Sequence, residues 1–276
     1  MVKQKRNSIK EGVLFNSDGI TNSTQQAKSV MYTAYSTVKQ LLGQLTTLDT
    51  KRKAIVALCL ILPAPLLGIT ASLYAPSIGD IQIGKAIWLL MKVWLIAMPV
   101  LWLLYVDKGK LSWSATTFKG VVAGLLWSIP VSIAILGIYW IAKEALIDPE
   151  AKQKIDDLGI SSPAQFLLFA TAMSLGNSLM EEYVWRWFVF SKFKLLVGVY
   201  PAILLSAVFF TLHHVVILWN FGSLQLVVIG ALGLCVGGVI WGWLYQKYNS
   251  IWPGWICHIA ADTVIMWITW TIITGN

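Results

Sequence analysis

Seven stretches of this 276-residue chain are each long and apolar enough to cross a bilayer, and nothing else constrains its fold as strongly. They lie at about 54–75, 86–106, 120–142, 164–190, 201–220, 225–246 and 253–273. The hydrocarbon core takes about 20 apolar residues of helix, and helix satisfies every backbone N–H and C=O within the segment. The expected fold class is all-α, a polytopic transmembrane helical bundle of about seven spans. The fourth stretch is long and turns polar toward its end, so a break or tilt is expected there. Charged residues make up 12% of the chain. An average soluble domain has about 25%, so this chain lacks the charge to cover a water-facing surface.

The net charge of +8 invites a nucleic-acid reading, but much of the excess sits in Lys3, Lys5, Arg6, Lys10, Lys28, Lys39, Lys51, Arg52 and Lys53. A basic flank before an apolar span is what the positive-inside rule expects, and the charge does not gather into a recognition module. The expected partner is the lipid bilayer, with no nucleic acid. Residues 1–24 are polar, with no apolar core behind the basic start, so disorder is expected there rather than a cleavable signal peptide. From about 26 to 48, Val30, Ala34, Val38, Leu41, Leu45 and Leu48 recur at helical spacing. That pattern suits a helix on the membrane surface, or a linker whose periodicity is chance.

The loops carry a topology. Lys108, Lys110 and Lys119 outnumber Asp107 in the loop 107–119, and Lys192, Lys194 and Lys247 mark two more basic connections. The loop 143–163 is acidic, with Glu144, Asp148, Glu150, Asp156 and Asp157. Together these predict a cytoplasmic amino terminus and a carboxyl terminus on the opposite side. Three regions follow: a basic polar segment at 1–50, the first spans at 51–163, and a motif-bearing domain at 164–276. Within it, Gly233 with Gly237 and Gly238 with Gly242 form small-xxx-small pairs, expected to pack helices within the molecule. Cys59, Cys235 and Cys257 lie in apolar segments without a CxxC, so inert packing is expected.

After Asp157 the chain has three acidic residues, Glu181, Glu182 and Asp262, and all three histidines, His213, His214 and His258. Ionisable groups inside spans are costly and point to function. Glu182 and Arg186 are four apart and share a helix face, which predicts an ion pair and leaves Glu181 as the freer base. The competing reading makes both glutamates structural partners of Arg186. Adjacent histidines point about 100° apart on a helix, so one of His213 and His214 is expected at a site. His258 and Asp262, also four apart, let the carboxylate hold one ring nitrogen while the other faces substrate or water.

These stretches, EEYVWR at 181–186, FTLHH at 210–214 and HIAAD at 258–262, resemble in order and separation the EExxxR, FxxxH and HxxxN or HxxxD motifs of the CPBP family. That family includes CAAX prenyl endopeptidases and the bacteriocin-processing Abi proteins. The resemblance covers about residues 164–272. Phe209 with His213 also satisfies the second motif, but SAVFFTLHH is closer to the family pattern with Phe210 and His214. The third motif ends in Asp262, where many members have asparagine.

The resemblance implies an intramembrane endopeptidase acting on a membrane-associated peptide or protein, lipidated or not. Glu181 and His214 would activate a water and His258 would stabilise the oxyanion, with Asp262 orienting His258 and Glu182 and Arg186 in support. No cofactor is expected. Zinc is the alternative, because two histidines and a glutamate make a catalytic zinc set, although the chain lacks HExxH. A transporter or a scaffold with a degenerate site is a further alternative. One tension accompanies this reading. His214 lies deep in its span while His258 lies near the start of its own, a difference of more than about 10 Å in depth.

Overall fold

The computed structural model describes residues 17–75, 80–146, 153 and 162–274, and the elements among them are helices. Two units separate, one within Met1–Thr47 and the other spanning Leu48–Asn276. The first consists of α1, Ser17–Thr47. It starts earlier than the periodicity from residue 26 suggests and takes in part of the stretch expected to be disordered. Residues 1–16 lie outside the described residues. Val30, Val38 and Leu41, on the expected apolar face, are exposed.

The second unit holds α2 (Thr50–Ile61), α3 (Pro63–Tyr74), α4 (Ile81–Leu101), α5 (Phe118–Leu146), α6 (Pro163–Thr171), α7 (Ser178–Glu182), α8 (Phe190–Val197), α9 (Val199–Phe221), α10 (Leu224–Tyr248) and α11 (Trp252–Thr274). Six helical spans among the described residues are long and apolar enough to cross a membrane, with α2 and α3 forming one of them. The chain is thus an integral, multi-pass membrane protein. The fourth of the seven expected stretches differs from the others. It is a helical run from Pro163 to Val197 interrupted by π-helical turns at Ala172–Asn177 and Tyr183–Val189. The break expected in that stretch takes this form.

Local chemistry sets the boundaries. Asp49, Asp80, Ser162 and Ser223 each accept a backbone N–H from the first turn of α2, α4, α6 and α10. Such caps satisfy donors that a helix start otherwise leaves open. Gly198, at φ 81°, turns the chain between α8 and α9, a conformation glycine adopts without steric cost.

The basic connections meet at one end of the bundle. Lys192 pairs with Asp107, and Lys194 Nζ donates to Gln246 Oε1 at 3.0 Å. Ser114 Oγ accepts from the Ile251 amide at 2.9 Å, and its carbonyl accepts from Trp252 Nε1 at 2.8 Å. These contacts agree with a shared side for 107–119, 191–200 and Lys247. Asp148, Glu150, Asp156 and Asp157 lie outside the described residues, as does the side chain of Glu144.

One of the two glycine pairs meets a neighbouring helix. A Cβ at Gly238 would stand 2.9 Å from Ala207 Cβ on α9, and one at Gly242 would stand 3.2 Å from Ile203. A Cβ at Gly233 would meet nothing within 4 Å. Gly238→Val is therefore expected to cost about 1–3 kcal/mol through overpacking against α9. Gly233→Val should leave stability unchanged; thermal unfolding of both variants in detergent checks the pair.

Candidate active site

The site is built around two adjacent glutamates at the end of α7, where π-helical turns flank a single short α segment. Each π turn admits an extra residue and re-aims the side chains that follow. The backbone remains satisfied, because the Trp185 carbonyl accepts both the Phe190 amide and Ser206 Oγ from α9, the latter at 2.9 Å. Glu181 and Glu182 are both buried and face different partners.

Glu182 is fully buried. Its Oε1 lies 3.3 Å from Arg186 NH2, the predicted i, i+4 pair, and 3.1 Å from His258 Nδ1. Its Oε2 lies against α11, where a Cβ on Gly254 would stand 2.5 Å away. Arg186 is also fully buried, its guanidinium 5.0 Å from the Phe210 ring and 5.3 Å from Trp241. The aromatic faces supply cation–π attraction where water is absent. Trp241 further stacks on His258, with ring centroids 3.9 Å apart and an interplanar angle of 15°.

Glu181 is the meeting point of the three histidines. Its Oε1 lies 3.7 Å from His213 Nε2 and 4.0 Å from His214 Nε2, and its Oε2 lies 3.6 Å from His258 Nε2. The depth difference between His214 and His258 is absorbed by helix packing, since both rings reach the same carboxylate.

Two expectations need correction. First, both adjacent histidines face the site. His214 Nδ1 lies 2.9 Å from the Phe210 carbonyl, which folds its ring back along α9, and His213 stacks parallel to Trp185 at 5.8 Å. Anchored this way, the two rings converge despite the 100° between their Cα–Cβ directions. Second, Asp262 does not sit behind His258. Its Oδ1 is 3.6 Å from Nε2, the nitrogen that also faces Glu181, and Glu182 holds Nδ1 instead.

Sequence reasoning missed two residues. Asn177 Nδ2 donates to Glu181 Oε1 at 2.9 Å, and Lys92 Nζ on α4 donates to Asn177 Oδ1 at 2.5 Å. The i, i+4 spacing of Asn177 and Glu181 was one available signal. The other was the isolated charge of Lys92 in the middle of an apolar span. Trp185 and Phe188 are buried packing residues. A cavity of about 460 Å³ lies elsewhere, lined by Phe166, Ser174, Leu175, Ile259, Thr263 and Trp267 among others.

Residues 163–264, under half of the chain, match the family model described as Type II CAAX prenyl endopeptidase Rce1-like. No curated protein and no solved structure matches the chain. The stretch is an Rce1-like CAAX protease domain of the CPBP/Abi superfamily. Its Glu/His cluster is consistent with glutamic-type intramembrane proteolysis.

Gly254 leaves the space Glu182 occupies. Gly254→Ala is expected to displace that carboxylate from Arg186 and His258, lowering stability by about 1–3 kcal/mol. Turnover should fall with it; unfolding in detergent and peptide cleavage, measured on one preparation, check this.

Proposed function

We propose that this chain, which carries an Rce1-like CAAX protease domain over residues 163–264, is an intramembrane endopeptidase that hydrolyses its substrates with a water activated by Glu181 and His214. The supporting observation is the convergence of three imidazoles on one buried carboxylate.

With Nδ1–H donated to the Phe210 carbonyl, His214 offers the Nε2 lone pair to the site. Glu181 Oε1 and His214 Nε2 are 4.0 Å apart. A water about 2.8 Å from each would subtend roughly 90° between them, close to its own geometry. It would donate one proton toward each and keep a lone pair for the scissile carbonyl. Glu181 takes a proton as the new C–O bond forms and passes it to the leaving amine. His258, held at Nδ1 by Glu182, donates from a protonated Nε2 to the oxyanion. Arg186 balances the Glu182 charge.

The substrate is membrane-associated. The cavity between α6 and α11 is largely apolar and runs beside the neighbours of His258 and Asp262 in sequence, Ile259 and Thr263. It suits the apolar part of such a substrate, including a prenyl chain. The basic end of the bundle is assigned to the cytoplasm, with the carboxyl terminus opposite. Helix α1 is assigned to the cytoplasmic membrane surface.

A second reading rests on one observation. Glu181, His213 and His214 each offer a ligand atom, all within 4.8 Å of one another. Two histidines and a glutamate are a donor set zinc accepts, so these three would hold the ion, which would supply a polarised water.

The test uses purified protein and a peptide with a farnesylated cysteine four residues from its carboxyl terminus, beside its unprenylated counterpart. Glu181→Gln and His214→Ala are each expected to lower kcat by about 10²–10⁴-fold. Parent-level cleavage of both peptides by both variants overturns the proposal. His213→Phe, which preserves the stack on Trp185, is expected to keep kcat within about tenfold. Stoichiometric metal, with activity abolished by chelation and by His213→Phe, establishes the zinc reading instead.

Asp262 lies beside the nitrogen assigned to the oxyanion, where an amide could donate as well. Asp262→Asn is expected to retain kcat within about threefold, whereas Asp262→Leu should lose more, as initial rates on the same peptide would show.

A further inference from the structure

Lys92 lies in the middle of the span Ile81–Val106, outside the matched domain. An ammonium at that depth is costly and requires a partner. Its Nζ donates to Asn177 Oδ1 at 2.5 Å, and Asn177 Nδ2 donates to Glu181 Oε1 at 2.9 Å. An ammonium can only donate, so it fixes which end of the Asn177 amide faces which neighbour. The N–H₂ end is thereby committed to Glu181. That hydrogen bond takes one lone pair of Oε1 and sets the carboxylate plane, leaving Oε1 toward His213 and His214 and Oε2 toward His258.

We infer that Lys92, acting through Asn177, is a positioning residue that holds the Glu181 carboxylate in its water-activating orientation. The inference rests on the reading of Glu181 as the base. It extends the machinery to α4, beyond the three motifs. Lys92 also brings a second cationic side chain to a site with three carboxylates, Glu181, Glu182 and Asp262, where Arg186 is already engaged by Glu182. Neither Lys92 nor Asn177 is assigned a contact with substrate, so their loss should act on turnover and not on binding.

The experiment measures kcat and KM of the full chain on the farnesylated peptide for Lys92→Met, Lys92→Arg, Asn177→Leu and the Lys92→Met/Asn177→Leu double variant. Glu181→Gln and parent serve as references. Lys92→Met and Asn177→Leu should each lower kcat about tenfold or more with KM within about twofold. Lys92→Arg, which can still donate to Asn177 Oδ1, should recover most of the loss. The double variant should be no worse than the poorer single, because both break one relay. Parent-level kcat in Lys92→Met or in Asn177→Leu overturns the inference, as does full additivity in the double variant. If Lys92→Met does not fold, Asn177→Leu decides by the same criterion. A Glu181→Gln variant as active as parent overturns the function itself. An inactive Glu181→Gln beside an unimpaired Lys92→Met removes the relay alone.

Discussion

The buried carboxylate of Glu182 is the interaction on which the rest of this site depends. It is held in an apolar bundle by Arg186 at 3.3 Å and His258 at 3.1 Å, both on Oε1. A charge stranded there by loss of its partner typically costs about 3–5 kcal/mol, so Glu182 and Arg186 must be retained or lost together. Because Glu182 grips His258 Nδ1, the opposite ring nitrogen is turned toward Glu181 and Asp262, at 3.6 Å from each. Gly254 and Trp241 complete the enclosure, the first by lacking a side chain and the second by covering both His258 and Arg186.

That arrangement demands an irregular helix. An unbroken α-helix would carry the run from Pro163 to Val197 with one face inward. The π turns before and after Ser178–Glu182 bring Asn177, Glu181, Glu182 and Arg186 inward from a single run. Ser206 answers the disturbed backbone at Trp185. Irregular helix inside a membrane survives where protein rather than lipid surrounds it, and the second π turn, Tyr183–Val189, is largely buried. Its burial explains why the fourth stretch differs from the six apolar spans.

Much of the site was legible because charge is so rare here. Three acidic residues and three histidines after Asp157 stood out against an apolar background, and the i, i+4 rule correctly paired Glu182 with Arg186. The same rule brings Asp262 to His258, 3.6 Å from Nε2, but does not say that Glu182 holds the other nitrogen. Four-residue spacing says that two side chains can meet, but not which ring nitrogen is met or whether a third helix takes it first. Cα–Cβ directions alone place one of His213 and His214 at the site, and the resemblance to the family pattern favours His214. The bond from His214 to the Phe210 carbonyl and the stack of His213 on Trp185 turn both rings beyond what those directions imply.

The sequence by itself determined the class of fold, the places of six apolar spans and the glutamates, histidines and aspartate of the site. Hydrophobic length and scarce charge are local properties that no packing arrangement can alter. Tertiary structure decided how that inventory is wired. Lys92 is 85 residues from Asn177, and His258 is 76 from Glu182, so no periodicity within one helix relates them. Their pairing follows from which helix faces are pressed together, and in a low-dielectric interior each buried charge then takes the partner that packing presents.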